Sequence, residues 1–215
     1  QPFSENPRYW QHHGKPVLFL GASDDDNLFQ WTGERLTTHL DKLVAAGGNQ
    51  IRNTMSDRDP GDARAFKEVE PGKYDLSQWN PDYWQRFATL LEETQKRQIL
   101  VQIEVWDRFD HSRDHWLEDP YNPANNINYT YEESGFEPEY PRHPNTNVQP
   151  LFLSVTGLQD NVVVRPFQEA FVRKMLSIAT QYDNVLYCID NETNGLEEWA
   201  IFWAKFLREE SAKLG

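Results

Sequence analysis

Four clusters of polar side chains in this sequence stand in or directly behind short apolar runs. They are Ser23-Asp24-Asp25-Asp26 after PVLFLGA (16–22), and Arg52-Asn53 with Ser56-Asp57 in and after NQIRNTM (49–55). The third is Glu104 with Asp107-Arg108, in and after ILVQIEVW (99–106), and the fourth is Asp190-Asn191-Glu192 at the end of NVLYCI (184–189). Carboxylates, amides and arginines gathered at one opening can protonate a leaving oxygen and hold the hydroxyls of a sugar. Each residue also has a plainer reading. Glu192 could cap or decorate the helix that follows it, Asn191 could be a turn residue, and Arg52 could be a structural ion-pair partner. Glu104 lies within a strand, so it must face a polar opening or be paired, because an isolated charge is costly to bury. Asp107 and Arg108 could bind a substrate or bridge each other. Asp24, Asp25 and Asp26 read as a solvated loop with one member turned toward the pocket.

Aromatic residues near these clusters could supply flat apolar faces for a ring-shaped ligand. Trp31, Trp106 and Trp116 lie in or beside the strand-end loops and are candidate stacking platforms, whereas Trp84, Trp199 and Trp203 sit at helical spacing and read as core. Tyr121, Tyr129 and Tyr131 could line a cleft or pack a loop. No metal site is expected. His12, His13, His39, His111, His115 and His143 show neither an HExxH motif nor a paired spacing with cysteine, and His111 with His115 is at best a chance pair. The lone Cys188 excludes an internal disulfide and reads as a small buried residue.

The elements that must position these residues alternate as strand then helix, four times over, which is the pattern of a parallel sheet built from β-α units. The four apolar runs are the expected strands. Leu36, Leu40, Leu43 and Val44 keep helical spacing over 33–46, where Gly47-Gly48 ends the pattern. Asn80-Pro81 opens a second helix reaching about Arg97, with Tyr83, Trp84, Phe87, Leu90 and Leu91 on its apolar face. Residues 166–181 and 196–214 are the third and fourth helices. The segment between the second strand and second helix reads as a polar loop. Residues 107–164 lack a sustained period, and so long a segment is expected to be a functional loop. The expected fold is therefore α/β, the N-terminal half of a parallel (β/α) barrel, in one domain over 1–215.

Composition narrows the partners. With 21 Lys and Arg against 34 Asp and Glu, the formal net charge is −13, which repels a phosphate backbone, so no nucleic acid is expected. No stretch approaches the ~18 to 20 apolar residues that span a bilayer, and no membrane partner is expected. An acidic chain rich in Trp and Tyr suits a neutral or weakly charged glycan. A start at Gln1 fits a processed chain, with a secreted or periplasmic location as the expectation. There is no GxGxxG, phosphate loop or nucleophile elbow, and no cofactor is expected.

The run NVLYCIDNETN in the fourth β-α unit resembles the large superfamily of retaining glycoside hydrolases whose (β/α)8 barrels carry Asn-Glu at the end of strand four. The resemblance implies that Glu192 is the general acid/base, that Asn191 contacts the 2-hydroxyl of the substrate, and that Arg52 steadies the nucleophile. WDRFDH (106–111) and NPANNINYTYEES (122–134) further resemble bacterial, secreted members of that superfamily with unassigned substrates. It covers most of the chain and implies a carbohydrate substrate, a nucleophilic Glu beyond residue 215, and a second half-barrel or second copy of the chain as the partner that completes the barrel. The competing expectation is a carbohydrate-binding or structural module without catalysis.

Overall fold

The computed structural model describes residues 2–21, 23–192 and 194–215. Ala22 and Thr193, at the edges of the first and fourth apolar runs, lie outside the described residues. The chain opens with an antiparallel hairpin of β1 (Trp10–His12) and β2 (Lys15–Val17), in which Trp10 faces Val17. Its two-residue turn, His13-Gly14, has φ of +47° and +75°. Two successive left-handed residues give a hairpin turn the twist that matches its strands, and glycine takes that conformation without strain. There follow α1 (Glu34–Ala45), β3 (Gln50–Thr54), a second hairpin of β4 (Phe66–Glu70) and β5 (Lys73–Trp79), and α2 (Pro81–Lys96). Then come β6 (Leu100–Trp106), the one-turn α3 (Tyr131–Ser134), α4 (Arg165–Ala179), β7 (Val185–Asp190) and α5 (Glu197–Leu214).

The central sheet has the order β3-β6-β7, with both pairings parallel. Strand side chains alternate between faces. Ile51, Val101, Ile103 and Val105 therefore fall on one side, buried in the core with Phe87, Leu90 and Leu91 of α2 and Val172 and Met175 of α4. Arg52, Gln102 and Glu104 fall on the other. The helices end where their sequences direct. The Asn80 side chain accepts from the backbone N–H of Asp82 and Pro81 takes the first turn of α2, both good fits to a helix start. At the top of β6, Trp106 packs against Phe171, Trp199 and Trp203 with ring centroids 5.0 to 5.7 Å apart, so α4 and α5 lock onto the strand end that carries the polar clusters.

This architecture corrects the expected one. The chain does not form four β-α units of a half-barrel: three strands pair in parallel, two antiparallel hairpins are added, and the described residues contain no closed barrel. The first apolar run is where the expectation fails. Its beginning, Pro16 and Val17, folds back with Lys15 onto Trp10–His12, and its later part touches the central sheet at an isolated bridge between Gly21 and Gln50, leaving Leu18 and Leu20 exposed. The hairpin partner is a two-residue turn away, whereas β3 lies some thirty residues on, and closing the longer loop costs more entropy. The second hairpin occupies what reads in the sequence as a polar loop. Cys188, expected in the core, is half-buried on β7.

Residues 107–164 are long but not structureless. Side-chain amides take the place of a regular ladder: Asn122 donates to the carbonyl of Trp116 at 2.9 Å, and Asn126 donates to those of Pro120 and Asn122 at 3.1 Å each. Thr130 and Glu133 form a capping box at α3. Beneath them Trp116 packs on Phe136 and Tyr140, and its indole N–H donates to the carbonyl of Glu137. No described helix is long and apolar enough to cross a membrane. The sheet core predicts a concrete cost. Ile103→Ala, on the fully buried face of the central strand, should lower unfolding free energy by about 2–5 kcal/mol, read as a lower urea midpoint with an unchanged slope.

Candidate functional site

At the carboxyl ends of β3 and β6 the geometry is organised by Arg58, which comes from the loop after β3. Its Nη1 donates to Asp107 Oδ2 and Asp110 Oδ1, both at 2.6 Å, and its Nη2 donates to Asp26 Oδ2 at 2.6 Å. Ser56 Oγ donates to Asp110 Oδ1 at 2.8 Å. Asn191, just past β7, donates its side-chain amide to Asp107 Oδ2 at 3.1 Å, while its backbone N–H bonds the carbonyl of Trp106 at 2.9 Å. One guanidinium thus ties together the loops after the first and second apolar runs and the end of β6, and Asp107 passes the link to the end of β7. Burial opposes the charge on Arg58, but Asp110 and Asp107 outweigh it and hold the group protonated. Asp110 is pushed upward, first by burial and then by the neighbouring Asp107 charge.

Beside this cluster Arg52 stands between two glutamates. Its Nε lies 3.7 Å from Glu104 Oε2, and its Nη1 lies 3.7 Å from Glu192 Oε1. The two carboxyls have opposite environments: the side chain of Glu104 is 4% exposed and that of Glu192 is 65% exposed. Burial raises Glu104 to about 7, only partly offset by Arg52 and by the hydrogen bond that Gln102 donates at 3.1 Å. Its Oε2 has no hydrogen-bond partner among the described residues. Glu192 sits at φ +40°, in the left-handed region. A non-glycine residue held there costs of order 1–3 kcal/mol and marks a backbone position fixed by its surroundings. Next to Arg52, an open pocket of about 420 Å³ is lined by Ser23, Asp24, Asp25, Asp26 and Gln50, within the range of pockets that take small molecules.

The structure brings Arg52, Glu104, Asp107, Asn191 and Glu192 to the same sheet end, and it removes the proposed aromatic platforms. Trp106 and Trp116 are buried. Trp31 is buried too: its indole N–H donates to Asp25 Oδ2 at 3.2 Å and Arg35 lies over its ring at 3.6 Å. None of the three offers a free face to a sugar, because each ring closes a gap between elements, and Trp31 instead orients a carboxylate of the open pocket. Arg108 turns away from the pocket, pairing with Asp190 at 3.4 Å over the ring of Phe152. Asp190 in turn accepts from the indole of Trp199 at 3.0 Å. Oxygens of Asp25, Asp26 and Asp59 lie within 4.8 Å of one another, but Arg58 already neutralises Asp26.

Sequence reasoning missed Arg58, Asp110 and the pair of His111 with Asp119. His111 Nδ1 lies 2.5 Å from Asp119 Oδ2. Burial alone would lower His111, yet Asp119 and the charges of Asp110 and Asp57 raise it to about 9. The signal for Arg58 was an arginine amid aspartates one residue beyond the Ser56-Asp57 cluster.

A family model described as "Domain of unknown function (DUF6298)" matches residues 57–215. The chain belongs to this family. The DUF6298 match spans Arg58, Glu104, Asp107, Asn191 and Glu192, while Arg52 and the aspartates of the open pocket precede it. No curated protein matches the chain.

A pH dependence of stability follows from His111. Its folded value of about 9 stands above the ordinary 6.5, so the stabilisation is fully present below about 6.5 and is lost as pH rises through about 9. The raised Asp110 acts in the same direction. The melting temperature should fall between pH 6.5 and 9.5, and His111→Gln should flatten that decline. An unchanged slope in the variant would refute the assignment.

Proposed function

We propose that this member of the DUF6298 family hydrolyses glycosidic bonds of a neutral or weakly charged glycan, with Glu192 as acid/base and Glu104 as its paired carboxyl. The observation that carries the reading is the single guanidinium of Arg52 facing both carboxyls at 3.7 Å. Hydrolysis of a glycoside needs one group that holds a proton and one that is ionised, with the two carboxyls roughly 5 to 9.5 Å apart. Two carboxyls of unlike exposure face one positive charge here, one buried and one open to solvent. Glu192 has the access: it stands at the rim where a glycosidic oxygen can reach it. Glu104 has the role of base: burial sets its titration at about 7, and above that it can take a proton. Arg52 joins them, facing both carboxyls at once.

The rest of the site supports the same chemistry. Asn191 is fixed by Asp107, with its side-chain oxygen unpaired among the described residues. The acidic pocket beside Arg52 offers acceptors for sugar hydroxyls. In the reaction, protonated Glu192 gives its proton to the leaving oxygen as the bond to the anomeric carbon breaks, ionised Glu104 takes a proton from the water whose hydroxyl adds to that carbon, and that proton returns through solvent to Glu192.

Two substitutions test this. Glu192→Gln should lower cleavage of a natural glycan or an alkyl glycoside by about 10²–10⁴-fold, while cleavage of dinitrophenyl glycosides, whose leaving group needs no proton, is largely spared. A variant that matches the parent on the unactivated substrate would remove Glu192 from the reaction. For Glu104→Gln, the pH–rate profile is the readout. The parent should show a limb near pH 7, where Glu104 titrates, and the variant should lack it. A limb that persists unchanged would mean that Glu104 is not part of the pair.

A further inference from the structure

Behind the Arg58 cluster lies a small cavity of about 30 Å³. Its wall includes Asp57, Asp110, His111 and Asp119, and also Trp106 and Tyr121. The last two are 2% and 3% exposed, and neither the Trp106 indole N–H nor the Tyr121 hydroxyl has a hydrogen-bond partner among the described residues. Leaving a buried donor unpaired is expensive, and two around one cavity are unusual in a folded protein. The same wall carries acceptors with lone pairs to spare. Asp57 accepts from Arg64 at 2.8 Å and from the Ala65 backbone at 3.3 Å, and Asp110 is engaged through Oδ1 by Ser56 and Arg58.

We propose that this cavity is a built hydration site that holds one or two ordered water molecules, which accept from Trp106 Nε1–H and bond the Tyr121 hydroxyl while donating to the Asp57 and Asp110 carboxylates. Several features select water over other small ligands. A space of this size admits one or two waters and little else, and a buried water needs two to four polar partners, which this wall supplies. A metal cation is disfavoured because the indole can only donate and the protonated His111 adds positive charge to the wall. An apolar occupant would leave both donors without partners. The site joins the loop residues Asp119 and Tyr121 to the end of β6 at a point where no direct side-chain bond from the indole does so.

Tyr121→Phe is the discriminating variant, because it deletes a hydroxyl that has no bond to the described protein and barely changes shape. With water bound there, the loss of that hydrogen bond should lower the melting temperature by about 2–6 °C. An unchanged or raised melting temperature would overturn the proposal, since removing an unpaired hydroxyl from a dry cavity relieves a cost. A high-resolution crystal structure gives the second readout. Density for a water within hydrogen-bond distance of both Trp106 Nε1 and the Tyr121 hydroxyl is expected. A cavity that is empty, that takes up xenon under pressure, or that holds an ion with metal-like contact distances would each overturn it.

Discussion

The half-buried charge of Arg58 is the constraint on which the rest of the site depends. A guanidinium largely taken out of water is tolerated only when acceptors surround it, and here Asp26 from one segment and Asp107 and Asp110 from another provide them. The dependence is mutual, since three carboxylates could not be gathered so closely without the cation. The loops at the sheet end are therefore held in one arrangement by electrostatics, and not by a regular ladder of hydrogen bonds. Asn191 inherits its orientation from this cluster through Asp107, and Glu192, the next residue, is held in a left-handed backbone conformation beside it.

A division between access and proton affinity runs through the same region. The carboxyl that a solute can reach, Glu192, is not the one whose proton affinity burial raises; that one is Glu104, on the strand beneath. Arg52 joins the two because β3 and β6 pair in parallel register, with Arg52 beside Gln102 and Thr54 beside Glu104. The pairing of strands thus places a basic side chain next to an acidic one from a different strand and sets the distance at which they interact. The aromatic residues serve a different end. Buried indoles brace the polar cluster from behind, with Trp199 bonding Asp190 and Trp31 bonding Asp25, so their part in the site is to fix carboxylates.

Three strands and the long helices were legible in the sequence because their signals are local. The apolar runs at 49–55, 99–106 and 184–189 become β3, β6 and β7, and the helix start at Asn80-Pro81 lies where the cap and the proline put it. Periodicity, capping and turn chemistry act over a few residues and can be read one segment at a time. The collection of Arg52, Glu104, Asn191 and Glu192 at a common sheet end was legible for the same reason, since parallel strands carry their trailing residues to the same side.

What only the tertiary structure decided is pairing between distant segments. A short apolar run does not specify its partner, and the first run, which reads as a fourth parallel strand, is captured instead by the adjacent hairpin. Likewise the tryptophans beside strand ends have the same local pattern whether they face solvent or core, and packing against Phe171, Trp199 and Tyr140 decided for the core. Arg58, Asp110 and the His111–Asp119 pair carry no motif, because their significance comes from desolvation and from charges remote in sequence. The sequence by itself thus determined the three strands of the central sheet, the four long helices and the polarity of the strand ends. The burial that raises Glu104, and the meeting of Arg58 with its three aspartates, arose only when the folded chain excluded water from between them.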